Sequence, residues 1–203
     1  MIESILFDLS EVLLQGMKGL DKRISFDTGF TEEEVRSHFR GSKREDLFVG
    51  KLSEEEYWSL VIKEGQYELP LEYFRKVIRE NFVPLNGTQE ILFELKQQGY
   101  PLGLLSDHAR EWISYIEGKY RFMQAFDGRC YSFECGYTKR SKESFVYAIK
   151  ELGFIPERTM FIDDHHWNLE VAHSVGIAYT HLFNGAEKLA KAMLDFGLQV
   201  RKL

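Results

Sequence analysis

The sequence predicts an α/β protein in which a doubly wound parallel sheet is interrupted, after its first strand, by an all-helical insertion. Three observations carry this. Short apolar runs end in polar or acidic residues at Asp8, at Ser106-Asp107 and at Asp163-Asp164, as fits buried strands whose carboxyl ends face a crevice. From Pro84 onward such runs alternate with helical periodicity, the pattern of strand–helix–strand units. Between Gly16 and Phe82 there is helical periodicity and no convincing strand.

The first strand is Ile5-Leu6-Phe7, closed by Asp8 and the polar break Ser10-Glu11. Within the insertion, Thr31 with Glu34 and Ser53 with Glu56 read as capping boxes, in which hydroxyl and glutamate satisfy orphan amides reciprocally. The second box opens a helix with Tyr57, Trp58, Val61 and Ile62 on one face, ending at Gly65. Pro70 starts another, with Phe74, Val77 and Ile78 as its apolar side and Pro84 beyond its end. Ile91, Leu92 and Leu95 then mark a helix closed by Gly99, and Leu102 to Leu105 a strand. A helix over Glu111 to Gly118 and a strand near Tyr131 follow. Phe145, Ile149 and Leu152 give a helix closed by Gly153, and Met160 to Ile162 a buried strand. Trp167, Val171, Ala172 and Val175 form the apolar side of the next helix. Ile177 to His181 reads as the last strand, and Leu189 and Met193 mark a final helix.

At 203 residues the chain can bury one full core with a smaller inserted domain. A net charge of −6 argues against a nucleic-acid partner. No apolar run reaches the ~18 residues of a membrane span, and Glu3 and Asp8 stand where a signal peptide would be basic and then apolar. A cytoplasmic protein is expected. Cys130 and Cys135, a C-x4-C pair without a second pair, read as reduced thiols rather than half a zinc site. Asn86-Gly87-Thr88 fits a glycosylation sequon but reads better as a helix N-terminus.

The three strand ends should line one edge of the sheet, so that Asp8, Ser106, Asp163 and Asp164 converge. Carboxylates gathered there repel one another unless a cation joins them, and hard oxygen donors suit Mg²⁺ with room left for a phosphate. The Ser106 hydroxyl and the Lys139 cation suit phosphate oxygens.

That constellation resembles the haloacid dehalogenase superfamily, which is dominated by phosphatases. FDLSEVL at 7 to 13 looks like its first motif, LLSD at 104 to 107 its second, KRSKESF at 139 to 145 its third and FIDDHHWN at 161 to 168 its fourth, with Asn168 behind the acidic pair. Arg140 replaces the third motif's usual proline. The resemblance implies a Rossmann-like core over 1–15 and 84–203 with a C1 cap over 16–83 that opens and closes. It implies that Asp8 attacks phosphorus, that Ser106, Asp107 and Lys139 bind the phosphate, and that Asp8, Ser10 (through its carbonyl), Asp163 and Asp164 hold Mg²⁺. The substrate it implies is a small phosphorylated metabolite. GKLSEEEYW at 50 to 58 is similar to the branch containing the phosphatase domain of soluble epoxide hydrolases.

Ser10 departs from the pattern: family phosphatases carry there an aspartate that serves as acid and then base. Losing such a group typically costs about 10²–10⁴-fold. Glu11 is the nearest substitute, although a solvated turn residue is the plainer reading of it. The departure leaves open two alternatives, a catalytically weak or silent binding protein and a metal-independent 2-haloacid dehalogenase with Arg40 binding halide or carboxylate. The acidic pair argues for a cation, and the retained Asp8, Ser106 and Lys139 argue for an enzyme. His165 and His166 read as surface or cap-contacting residues, and nothing orients His108. Arg36, Arg40, Lys43 and Arg44 read as a solvated helical face balanced by Glu32 to Glu34, with guidance of an anionic substrate as the alternative. Tyr57, Trp58, Tyr67, Tyr73 and Phe74 read as the core of the insertion.

Overall fold

A computed structural model describes residues 1–201. A five-stranded parallel sheet is built from β1 (Ser4–Phe7), β2 (Leu102–Ser106), β3 (Gly128–Tyr131), β4 (Thr159–Asp163) and β5 (Tyr179–Leu182), in the order β3-β2-β1-β4-β5. The chain winds outward from β1 to β3 and then returns to β4 on the other side of β1. A switch point therefore falls between β1 and β4, where open α/β sheets bind ligands. Phe7 pairs with Leu104 and with Ile162, which brings the carboxyl ends of β1, β2 and β4 to one level. β1, β2 and β4 are buried along their whole length, as the continuous apolar runs require.

Five helices fill the insertion: α1 (Leu20–Thr28), α2 (Glu32–Phe39), α3 (Ser42–Phe48), α4 (Glu54–Gly65) and α5 (Leu71–Asn81). Both expected capping boxes form, Thr31 with Glu34 and Ser53 with Glu56. After the insertion come α6 (Thr88–Gln97), α7 (Arg110–Lys119), α8 (Ser132–Cys135), α9 (Lys142–Leu152), α10 (His166–Ser174) and α11 (Ala186–Asp195). The Asn86-Gly87-Thr88 segment is a helix start, but Gly87 occupies the cap position and no side chain caps it. Cys130 and Cys135 are both free thiols. Among the described residues no helix is long and apolar enough to cross a membrane.

The insertion shares its core with the sheet. Tyr57, Trp58 and Phe74 are fully buried and Tyr67 nearly so, as expected. Trp58, however, lies 6.1 Å from the ring of Trp112 in α7, and Tyr57 lies 6.3 Å from it. Buried Glu54 clamps the same junction. It accepts two hydrogen bonds from Arg79 at 2.8 and 2.7 Å and one from the Trp112 indole at 2.8 Å.

Two sequence expectations need correction. The last strand begins at Tyr179, two residues later than Ile177, because the Ile177 amide bonds to Ala172 O and closes α10 instead of joining the ladder. Trp167 is not on the buried side of α10: it is 40% exposed, and Asn168 and Ala172 are the buried residues. Its place in the first turn sets it at the crevice rim, where apolar character does not mean core.

Candidate active site

Asp8 follows β1 directly, and its amide donates to Ile162 O at 2.9 Å, extending the β1–β4 ladder by one bond. Its Oδ1 accepts the Leu9 amide at 2.7 Å. Lys139 Nζ lies 2.6 Å from Asp8 Oδ1 and 2.7 Å from Asp163 Oδ2, so one buried ammonium bridges the ends of two strands. Asp107 reaches the backbone of the same loop, accepting the Lys139 amide on both oxygens at 3.0 and 3.1 Å. Asp163 in turn accepts from Asn168 Nδ2 at 3.0 and 3.1 Å and from the His165 amide at 2.8 Å. The structure thus brings together Asp8, Asp107, Lys139, Asp163 and Asn168, which sequence reasoning had placed on four separate motifs.

Burial raises the Asp8 carboxyl well above its usual range; Lys139 opposes this, while Asp163 and Asp164 add to it. Burial likewise pushes Asp107 up to about 6. Lys139 is held above the ordinary lysine range, because Asp163, Asp8 and Asp107 together outweigh its desolvation. At the strand ends themselves, four carboxyl groups surround one ammonium, a local arrangement that a divalent cation would help balance. The ligand atoms of Asp163, Asp164 and His165 lie within 4.8 Å of one another. At the end of β2, Ser106 Oγ is buried with no hydrogen-bond partner among the described residues. Buried hydroxyls are rarely left unpaired, so this one suits an incoming oxygen. The residues present therefore fit Mg²⁺ and a phosphate.

The position after Leu9 is more constrained than its sequence shows. Ser10 Oγ lies 3.2 Å from His108 Nε2. His108 is buried, and its Nδ1 has no partner among the described residues. Burial, helped by the charge on Lys139, lowers its pKa to about 3, so the ring is neutral at ordinary pH. Glu11 is not the solvated turn residue expected. Its carboxylate accepts the amides of Gly16 at 2.9 Å and Lys18 at 3.3 Å, and its backbone has φ +62°. That left-handed conformation is held by the bonds that fix the entry to the insertion. With both amides on one oxygen, the Glu11 carboxylate serves the loop.

Asp8, Ser10, Asp107, His108, Lys139 and Asp164 line a cavity of about 570 Å³ whose walls come from both the sheet edge and the insertion, while Ser106 and Asp163 lie outside its lining. His165 Nδ1 is 2.7 Å from Asp164 Oδ1, so of the adjacent histidines one turns toward the acidic pair, while His166 packs on Trp167 at 4.9 Å. The expected solvated basic face divides. Arg36 pairs with Asp21 and Glu33, and Lys43 with Glu64, but Arg40 and Arg44 line the cavity in no salt bridge among the described residues. His108, Arg140 and Trp167 also line the cavity without a site role in the sequence reading, and Arg44 has one there only as the alternative of guiding an anionic substrate. His108 directly follows the second motif and Arg140 lies in the third, whereas Trp167 reads as core.

A doubly wound sheet with an acidic, lysine-bridged crevice at its switch point offers a site suited to a cation and an anion together. The family model for haloacid dehalogenase-like hydrolases matches residues 2–176, and the chain belongs to that family. It is 26% identical over 151 residues, 74% of this chain, to flavin mononucleotide hydrolase 1 of Arabidopsis thaliana. It is 29% identical over 117 residues, 54% of this chain, to the 5-amino-6-(5-phospho-D-ribitylamino)uracil phosphatase of the same plant. The matched stretches span 60% and 31% of those two proteins. In fold, it is similar to a HAD-family enzyme of Bacteroides thetaiotaomicron crystallised with magnesium and inorganic phosphate, with TM-score 0.79, 20% identity, and coverage of 95% of this chain and 99% of that one.

Proposed function

We propose that this protein is a Mg²⁺-dependent phosphatase of a small phosphorylated metabolite, with residues 1–15 and 84–203 as its core and 16–83 as its cap. The observation that carries the reading is the Lys139 bridge between Asp8 and Asp163 at the carboxyl edge of the sheet. The two phosphatase relatives support the substrate class.

In this reading Asp8 attacks phosphorus in line. A bond forms between its carboxylate and phosphorus, and the bond to the leaving oxygen breaks. Water then cleaves the aspartyl-phosphate and restores Asp8. Lys139 and Ser106 neutralise charge on the non-bridging oxygens, while Asp107 and Asn168 hold Lys139 and Asp163 in place. Mg²⁺, held by Asp8, the Ser10 carbonyl, Asp163 and Asp164, supplies further charge neutralisation when bound.

The leaving oxygen receives little help from this chain. Ser10 offers a hydroxyl already engaged with His108, His108 is neutral, and Glu11 is tied to the loop. The enzyme is therefore suited to phosphates with good leaving groups, such as acyl, anomeric or aryl phosphates. Hydrolysis of an aryl phosphate by wild type and Asp8→Asn, with and without Mg²⁺, tests the reading. Activity that needs both Asp8 and the metal supports it, and metal-free halide release from a 2-haloacid would replace it with the dehalogenase reading.

A further inference from the structure

We propose that Arg40, Arg44 and Arg140 form a second anion subsite, so that the substrate carries a second phosphate or a carboxylate besides the phosphoryl group transferred to Asp8. This rests on the phosphatase reading and adds the substrate's charge pattern to it.

The three guanidinium groups line the same cavity as Asp8 and Lys139 but arrive from separate places. Arg40 follows α2, Arg44 lies in α3, and Arg140 directly follows the buried Lys139. None of the three makes a salt bridge or a side-chain hydrogen bond among the described residues, whereas their basic neighbours Arg36 and Lys43 are paired. Scarcity of partners does not explain this, because the chain has 32 acidic against 26 basic side chains. Glu45, also on the cavity wall, is in no salt bridge among the described residues.

Arg44 carries the argument furthest. It is half-buried, whereas Arg40 and Arg140 are exposed; burial pulls its guanidinium below the usual range, with Arg40 and Arg140 acting in the same direction and Tyr57 and Glu45 against it. Three like charges without salt-bridge partners among the described residues, on the walls of one cavity, repel one another, most strongly at half-buried Arg44. An anion seated among them removes that penalty and gains planar, bidentate hydrogen bonds of the kind arginine makes to phosphate and carboxylate. Arg140 is also positioned, its guanidinium carbon lying 6.0 Å from the centre of the exposed Trp167 ring. Because Arg40 and Arg44 belong to the insertion and Arg140 to the catalytic loop, one second anion would bind both walls at once.

The test compares kcat/KM on pairs that share a leaving oxygen: glucose 1-phosphate against glucose 1,6-bisphosphate, and glycerol 3-phosphate against 3-phosphoglycerate. The doubly anionic member should be preferred by about tenfold or more, the usual worth of a charge-assisted hydrogen bond. The larger ratio names phosphate or carboxylate as the second anion. Arg44→Gln should pull that ratio toward one while Arg44→Lys keeps part of it, which separates loss of charge from misfolding. Ratios near one in wild type, or ratios that survive Arg40→Gln, Arg44→Gln and Arg140→Gln alike, overturn the subsite. Should no phosphate ester be hydrolysed, calorimetric titration with glucose 1,6-bisphosphate and glucose 1-phosphate decides separately. Tighter binding of the bisphosphate that Arg44→Gln abolishes keeps the subsite and overturns the phosphatase reading. Equal affinities, or no binding of either, overturn the subsite.

Discussion

Ser10 Oγ lies 3.2 Å from His108 Nε2, joining two residues 98 positions apart at the place where the family's phosphatases carry a second aspartate. In the proposed mechanism the contact would put a neutral imidazole and a hydroxyl where a carboxylic acid would otherwise protonate the leaving group. Rates across a series of aryl phosphates should therefore rise steeply as the leaving phenol becomes more acidic. Ser10→Asp should flatten that dependence and accelerate the poorest leaving groups by roughly 10²-fold, the low end of the usual range for general acid catalysis. A flat dependence in wild type would mean that another acid reaches the substrate.

His108 also makes a prediction about acid stability. Its pKa is about 3 in the folded chain, against an ordinary 6.5, so the folded state binds fewer protons. Its contribution to stability is full above pH 6.5 and is lost as pH falls toward 3, at roughly 1.4 kcal/mol per unit. Asp107 has the opposite sign, since its pKa is raised to about 6 and the fold is relieved as pH falls through 6 toward 4. His108→Gln removes the first slope and leaves the second. Urea unfolding at pH 7 and pH 5 should show a smaller loss of stability on acidification in the variant than in wild type. Equal losses would show that the ring is solvated.

Glu54 holds the insertion to the sheet, with Arg79 on one side and the Trp112 indole on the other. Glu54→Ala leaves a partly buried guanidinium and a buried indole N–H without their acceptor. It should cost about 3 kcal/mol in denaturant unfolding, the low end for breaking a buried ion pair because Arg79 keeps some solvent contact. A loss below about 1 kcal/mol would mean that water replaces the carboxylate.

Gly16 packs against Ser10, where an added Cβ would meet Ser10 Oγ at 2.6 Å and Ser10 Cβ at 2.7 Å. Its amide also holds Glu11. Gly16→Ala must therefore displace the loop that carries Ser10, and kcat/KM should fall by about 10–100-fold with the fold retained. Wild-type turnover in this variant would show that the loop's position does not matter to the chemistry.

The sheet was legible because each of its three buried strands β1, β2 and β4 ends at or just before a polar residue at the carboxyl edge, so that Asp8, Ser106 and Asp163 marked strand ends and candidate site together. Ile177 misled because it is buried without pairing, and Trp167 because a large apolar residue in the first turn of a helix reads as core although it stands at a rim. The pairing of Ser10 with His108, and the clamp from Glu54 to Trp112, join residues 98 and 58 positions apart and leave no local pattern. Arg40 and Arg44 looked balanced by Glu32 to Glu34, but those glutamates stand in the first turn of α2, where Glu32 and Glu33 take Arg36 and Glu34 closes the capping box with Thr31.

Covalent capture at Asp8 tests the central claim most directly. Protein acid-quenched during turnover of an aryl phosphate with Mg²⁺ should carry one phosphate on the peptide containing Asp8, seen by mass mapping. Asp8→Asn should lack it and lose more than about 10³-fold in kcat. Turnover that persists in Asp8→Asn, or a phosphate found on another residue, would contradict the account.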